Sequence, residues 1–454
     1  MRYLLFLLAF SLPAADTALD RYVRKADSSY RYDVAATMPC PDGCTASLLD
    51  MTSQTWRKPE EIDRTVWKHW VTVVRPAKVT TSTALLFITG GANDGRPRTA
   101  VDPMMATLAN QSGAVVAELR MVPNQPLVFA GETRKRTEDS FIAYTWDKYM
   151  RGGDEEWPAR LPMTKSAVRA MDAVTDFCKS EKGGKVAVDK YAVSGASKRG
   201  WTTWTTAAVD KRVIAIAPLV IDMLNLQKSF IHHWRVYGFW APAVGDYTEM
   251  NTMGWMGTKE YAHLLKIEEP YSYLDRLTMP KYLINSAGDQ FFLPDSSQFY
   301  WKNLKGEKLL RYIPNTDHSL RNSDAVESLV GWLQSIVGGT ARPRYSWKVA
   351  KDGAIRVKTV DRPTEVKLWQ AMNPEARDFR LEKIKAAYKG SALTAGPNGE
   401  YVAKVAQPAK GYTAYFVELT FPGPAKYPIK VTTQIKVLPD VYPHAPPVPV
   451  RPAK

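Results

Sequence analysis

A hydroxyl, an imidazole and a carboxylate brought to one point can carry out acyl transfer, and this sequence offers one of each in a defined setting. The apolar run Lys190 to Val193 leads into Ser194-Gly195-Ala196-Ser197-Lys198-Arg199-Gly200, and a helical pattern from Lys198 to Val209 follows. A strand, a small-residue turn with serine at its apex and a helix form a nucleophile elbow, which lifts the hydroxyl above a sheet and turns helix N-terminal amides toward it. Gly195 and Ala196 are small where a bulky side chain would strike neighbouring backbone. In the usual G-x-S-x-G pattern a glycine stands two after the serine; here that place is Arg199, and the glycine comes at Gly200.

The partners come later in the chain. The run Lys281 to Asn285 ends in Ser286-Ala287-Gly288-Asp289-Gln290-Phe291-Phe292, and Lys308 to Ile313 ends in Pro314-Asn315-Thr316-Asp317-His318-Ser319. The order Ser197, Asp289, His318, each at the carboxyl end of a strand, is that of an α/β-hydrolase triad. Asp317 is a rival acid, but a neighbour in sequence seldom points the same way. The oxyanion donors expected are the amide of Lys198 and, from Gly90-Gly91-Ala92-Asn93-Asp94-Gly95, that of Gly91 or Ala92. Of the other histidines, His69 lies in a Trp67 to Trp70 segment that reads as an early strand, His263 in the segment 222–280 and His444 in the Pro-rich tail, while His232 and His233, beside Trp234, lack the spacing and carboxylate company of a metal site, so neither metal nor cofactor is expected.

A sheet must hold these loops. Thr83 to Thr89, Ala114 to Arg120, Lys190 to Val193, Val213 to Ile221, Lys281 to Asn285 and Lys308 to Ile313 read as buried strands. Helices are predicted over Asp102 to Ser112, Asp139 to Tyr149, Thr164 to Lys179, Lys198 to Val209, Asp295 to Leu304 and Asp324 to Val337. Continuous apolar strands alternating with helices specify a parallel sheet covered on both faces. Residues 222–280 interrupt the rhythm with a helical, aromatic-rich insertion expected to cap Ser197, and Trp234, Tyr237 and Trp240 are its substrate-pocket candidates. Beyond Gly338 the pattern turns to half-buried strands, a small β-sandwich of immunoglobulin or fibronectin type over 341–440, with a Pro-rich tail over 441–454.

Arg2 and the apolar run Tyr3 to Leu12, followed by Pro13-Ala14-Ala15, have the form of a secretory signal over residues 1–18, with the α/β-hydrolase domain over 19–340. Export predicts a secreted or periplasmic protein and favours a disulfide between Cys40 and Cys44 across Pro41-Asp42-Gly43. Cys178 falls in a helical stretch as a buried thiol. No run reaches the length of a transmembrane helix. Lys plus Arg number 61 against 46 Asp plus Glu, a net charge of +15. The excess is spread along the chain without a nucleic-acid reading motif, which argues against nucleic acid and suits an anionic envelope surface.

Several long strings make the chain resemble the PhoPQ-activated pathogenicity-related proteins. They are Tyr144-Thr145-Trp146-Asp147-Lys148, the run from Leu161 to Asp172, the run from Val193 to Trp204, Tyr271-Ser272-Tyr273, and Asp289-Gln290-Phe291-Phe292. The resemblance implies a secreted α/β-hydrolase core with a C-terminal β-sandwich, and an elbow in which arginine follows Ser-Lys. The function expected is a secreted serine hydrolase acting on a small-molecule ester or a peptide. The alternative is a non-catalytic signalling or envelope-binding protein on the same fold. Asp154-Glu155-Glu156 would serve a peptidase by holding a free amine, against the plainer reading of an exposed acidic loop.

Overall fold

The computed structural model describes residues 16–452, so the apolar run Tyr3 to Leu12 lies outside the described residues. The chain opens with helix α1 (Ala18–Arg24) and strands β1 (Arg31–Pro39), β2 (Thr45–Thr55), β3 (Val66–Arg75) and β4 (Thr83–Ile88). Helix α2 (Pro103–Ser112), strand β5 (Val116–Leu119), the ribbon β6 (Leu127–Val128) and β7 (Lys135–Arg136), and helices α3 (Glu138–Gly152) and α4 (Arg160–Lys179) follow. The elbow region is β8 (Lys190–Ala196) and α5 (Lys198–Val209), then β9 (Val213–Leu219). Helices α6 (Leu226–Tyr237), α7 (Gly245–Glu249) and α8 (Lys259–Glu268) form the insertion, and β10 (Lys281–Ser286), β11 (Lys308–Ile313) and α9 (Ala325–Val337) complete the core.

Nine strands make one sheet in the order β1-β2-β3-β5-β4-β8-β9-β10-β11. From β5 to β11 neighbouring strands run parallel, with β4 beside β8 and β8 beside β9. In β4, Ala84, Leu86 and Ile88 pack into one core and Leu85 and Phe87 into another, so every residue of the strand is buried. That is why the run Thr83 to Ile88 carries no polar alternation. Strands β1, β2 and β3 extend the sheet antiparallel, a mixed edge where only a short early strand at Trp67 to Trp70 was expected. Cys40 and Cys44 are joined by a disulfide in the turn between β1 and β2. Cys178 is buried, and burial pushes its thiol up to about 11.

One predicted helix is not there. Asp295 to Leu304 forms two short 3-10 turns, Ser296–Phe299 and Trp301–Asn303, broken at Tyr300, whose φ is −139°. The Tyr300 hydroxyl is drawn inward to the buried carboxylate of Asp222, and Asp295 spends its carboxylate on His232 and Arg377 instead of capping a helix.

The C-terminal part holds two antiparallel sheets, built from β12 (Tyr345–Val349), β13 (Ile355–Thr359), β14 (Glu365–Asn373), helix α10 (Leu381–Ile384), β15 (Lys389–Ala392), β16 (Tyr401–Ala403), β17 (Tyr412–Phe421), β18 (Ile429–Thr432) and β19 (Lys436–Leu438). One sheet is β12-β13-β16, the other β15-β14-β17-β18 with β19 also on β17. The predicted strand Ile429 to Val437 is divided at Thr433, whose hydroxyl and amide both bond Val417. Against the edge of β11, Thr432 accepts from the Tyr312 amide at 3.0 Å, and Lys430 O accepts from the Tyr282 hydroxyl at 2.5 Å. The edge strand of the large sheet is thereby covered. Beyond β19 the Pro-rich segment returns to the insertion. Tyr442 lies under the Arg235 guanidinium at 4.1 Å, the His444 amide donates to Arg235 O at 3.1 Å, and Arg451 pairs with Glu260 at 3.0 Å.

The molecule thus has the α/β-hydrolase fold, with a helical insertion between β9 and β10 and C-terminal antiparallel sheets. No helix among the described residues is long and apolar enough to cross a membrane.

Candidate active site

Ser197 stands between the end of β8 and the first residue of α5 with φ 56° and ψ −122°, a conformation that non-glycine residues rarely adopt. Its half-buried side chain sits at the apex of a tight turn. A Cβ on Gly195 would lie 2.8 Å from Arg199 O, and one on Gly200 would lie 3.0 Å from both Gly195 O and Leu219 O. The turn is closed by packing of Gly195 against the backbone of the following helix, and a glycine three after the serine serves that contact. Arg199 takes another part. Its guanidinium donates to both oxygens of Glu138 at 2.6 and 2.8 Å and through Nε to Val122 O at 2.5 Å. It crosses Gly90 so closely that a Cβ there would stand 2.3 Å from Nη2. Burial alone would raise the Glu138 carboxyl; the Arg199 fork, helped by Lys198 and Gln125, overrides it and holds it at about 2.

Asp289 and His318 lie at the carboxyl ends of β10 and β11. The Asp289 carboxylate is buried; Oδ1 accepts from the Phe291 and Phe292 amides at 2.7 and 3.3 Å, and Oδ2 is 2.8 Å from His318 Nδ1. Nδ1 must then carry the proton it donates to that carboxylate, which leaves Nε2 as the acceptor; Nε2 has no hydrogen-bond partner. The rings of Phe291 and Phe292 stand 4.4 and 5.8 Å from the imidazole, and the His318 amide donates to Gln290 Oε1 at 2.9 Å. The rival Asp317 turns away: its Oδ1 accepts from the Ser319 amide and hydroxyl.

Both loops are held from the C-terminal part. Gly288 O accepts from the Leu381 amide at 2.9 Å, and the side-chain amide of Asn315 exchanges two hydrogen bonds with the backbone of Tyr388, at 2.9 and 3.0 Å. The two loops are also tied to each other, since Ser286 Oγ donates to Thr316 O at 2.7 Å.

A cavity of about 30 Å³ opens beside Ser197. Trp146, Trp201, Ile221, Met223, Leu226, Phe230, Phe291 and Phe292 give it apolar walls, and Asp139, Lys198, Arg160 and Tyr247 a polar one. The polar groups neutralise one another: Lys198 Nζ is 2.7 Å from Asp139 Oδ2, the Tyr247 hydroxyl donates to Asp139 Oδ1 at 2.9 Å, and Arg160 faces Glu268 at 3.6 Å. Burial pushes Glu268 up to about 7 in spite of the Arg160 charge, and it pulls the Arg160 guanidinium below its ordinary value.

The other candidates fall into two groups. Lys198 begins α5, so its amide has no acceptor within the helix, and its side chain lines the cavity. Gly91 and Ala92 are not among the lining residues; they belong to the strand-end loop that Arg199 crosses, and Ala92 bridges to Gln125. Trp234, Tyr237 and Trp240 also stand outside the cavity wall. Trp240 packs edge-on against Phe230 at 5.9 Å and against Trp234 at 5.1 Å, and Tyr237 stacks with Phe239. Leu226 and Phe230, one helical turn apart on α6, are the residues that reach the cavity. Asp154, Glu155 and Glu156 pair with Arg57, Arg21 and Lys25, and none lines the cavity. His232 is bound to Asp295, and His233 accepts from the Ala241 amide. Among the described residues no cluster of three or more His, Cys, Asp or Glu side chains is arranged to hold a metal ion.

Comparison with known proteins finds a relative along nearly the whole chain. A relative from Dictyostelium discoideum, autocrine proliferation repressor protein A, is 36% identical over 475 residues, covering 98% of this chain and 95% of its own. Among solved structures, acetyl xylan esterase 1 from Thermoanaerobacterium is similar over 70% of this chain and 92% of its own, at 13% identity and a TM-score of 0.48. An S-formylglutathione hydrolase from Agrobacterium tumefaciens is similar over 67% of this chain and 100% of its own, at 14% identity and a TM-score of 0.42. The family described as PhoPQ-activated pathogenicity-related protein matches residues 19–380. On that match and on the end-to-end relationship with the Dictyostelium protein, the chain belongs to the PhoPQ-activated pathogenicity-related protein family.

Proposed function

We propose that this protein is an exported serine hydrolase in which Ser197 is the nucleophile, His318 the general base and Asp289 its orienting acid. The observation that carries the reading is the state of His318: Nδ1 is committed to a buried carboxylate and Nε2 is left without a partner. An imidazole held in that tautomer is set to take a proton. Ser197, in its strained turn, lies beside the same Phe291 and Phe292 that flank His318.

In the reaction, Nε2 of His318 takes the proton as Ser197 Oγ attacks the substrate carbonyl, and the imidazolium formed faces Asp289. The amide of Lys198, at the positive end of α5, stabilises the oxyanion, with Gly91 or Ala92 as the second donor. The proton then passes from Nε2 to the leaving group, and water repeats the sequence to free Ser197. No step calls for a cofactor. A fluorophosphonate probe tests the reading on the full chain: wild type is labelled and Ser197→Ala is not. Equal labelling of both proteins would exclude Ser197.

A second reading, a signalling protein that keeps the fold without the reaction, is supported by the name of the Dictyostelium relative. It predicts no labelling of the wild type.

A further inference from the structure

The cavity beside Ser197 limits what the enzyme carries. We infer that the substrates are esters of short, uncharged acyl groups, acetyl or propionyl, on larger alcohols; this rests on the serine hydrolase reading above. The leaving oxygen receives its proton from His318 Nε2, so the leaving group departs on the His318 side. His318 does not line the cavity; its Nε2 is buried, but its side chain as a whole is 19% exposed, so solvent lies on that side of the ring. The cavity is therefore left for the acyl group.

Its size and chemistry define that group. About 30 Å³ is room for roughly two waters, which corresponds to one or two carbons beyond the carbonyl. The walls that set the limit are stiff: Trp201 is 2% exposed and Phe230 and Leu226 1%, and Trp240 backs Phe230 from outside. A charged acyl chain meets no exposed unpaired charge, because Asp139 and Lys198 pair with each other and Arg160 is buried against Glu268 at 3.6 Å. An acyl chain of four or more carbons beyond the carbonyl would have to displace these rings.

The covalent steps balance without a co-reactant. Ser197 Oγ bonds to the acyl carbon as the ester C–O bond breaks, and the Ser197 proton leaves on the alcohol by way of His318. Water then attacks the acyl-enzyme, releasing the short carboxylic acid and returning a proton to Ser197.

The test uses the full chain with p-nitrophenyl acetate, propionate, butyrate and octanoate, and fluorophosphonate labelling of Ser197 in parallel. Acetate and propionate are expected to exceed octanoate by roughly 100-fold in kcat/KM, given what one methylene is worth in an apolar pocket. Phe230→Ala removes the ring that closes the cavity and should raise the octanoate-to-acetate ratio at least about 10-fold. Met223→Ala, at another wall, serves the same end if Phe230→Ala does not fold. A labelled wild type that cleaves octanoate as well as acetate overturns the inference and leaves the hydrolase reading standing. A folded Phe230→Ala or Met223→Ala with an unchanged ratio also overturns it. A wild type that neither labels nor cleaves any of the esters overturns both.

Discussion

Oδ2 of Asp289 lies 2.8 Å from Nδ1 of His318, while Oδ1 of the same carboxylate is held by the amides of Phe291 and Phe292. The acid is fixed by its own loop before it fixes the imidazole. Asp289→Asn keeps the shape but offers a donor where an acceptor is needed, so kcat should fall by about 10² to 10⁴. Asp317→Asn, whose carboxylate is held chiefly by the Ser319 amide and hydroxyl, should stay within about threefold of wild type. Ester hydrolysis by the two variants checks the assignment, and the opposite pattern would make Asp317 the acid.

Gly90 and Arg199 are matched in a way that a substitution exposes. A methyl at position 90 must push the guanidinium off Glu138, because the built Cβ falls 2.3 Å from Nη2. Gly90→Ala should cost about 1 kcal/mol, a modest figure because the Glu138 side chain is 40% exposed, and should slow probe labelling by loosening the elbow. In a double-mutant cycle with Arg199→Ala the two losses should not add. Full additivity in thermal melts would show the two positions to be independent.

Asn315 reaches across to the C-terminal part from the loop that carries His318, with φ 56° and both side-chain amide groups spent on Tyr388. Asn315→Gly keeps that backbone conformation and deletes the two bonds. The expected result is a kcat lowered about 10-fold with KM little changed, since a loosened imidazole impairs the reaction more than binding. An unaltered kcat alongside a lowered melting temperature would make the contact purely structural.

Asp222 gives the protein a pH-dependent weakness. It is buried between the hydroxyls of Tyr300 and Tyr312, and burial pushes its carboxyl up to about 7, more than those two bonds pull it back. The folded state keeps the proton between 3.8 and about 7, where the unfolded chain has lost it. Stability from this group is therefore complete below the unfolded value and is lost as pH rises through about 7. Glu268 and Glu269, also raised to about 7 by burial, act with the same sign. His69 and His233, pushed down by burial to about 4 and about 3, act oppositely and lose stability as pH falls below 6.5. Asp222→Asn removes one contribution, so the stability of wild type relative to the variant should fall by about 1 to 3 kcal/mol from pH 5 to pH 8. Urea denaturation at the two pH values measures it; a constant difference would place the Asp222 carboxyl near its unfolded value.

What could be read from the sequence was whatever local composition forces. Strands β4, β8, β10 and β11 are buried on both faces and so announce themselves as apolar runs, and the loops after three of them hold Ser197, Asp289 and His318. Strand β1 has largely exposed or half-exposed residues and gives no such signal. The helix expected after Asp295 failed because Tyr300 is pulled to Asp222, 78 residues away, and local periodicity carries no trace of such a tie. Arg199 and Glu138, 61 residues apart, were hidden for the same reason. Aromatic richness marked the insertion but not its orientation. The pair Leu226 and Phe230 was there to be read as one face of α6 pointing back toward the sheet, while the tryptophans drew more notice by size alone.

The last stretch of chain, lying along the insertion through Tyr442, His444 and Arg451, closes the molecule on itself. The insertion is thus held by three stretches of the same polypeptide, the link from β9, the link to β10 and the C-terminal segment. The segment that holds the insertion from this side lies far in sequence from the half-buried Ser197 and lines none of the cavity beside it.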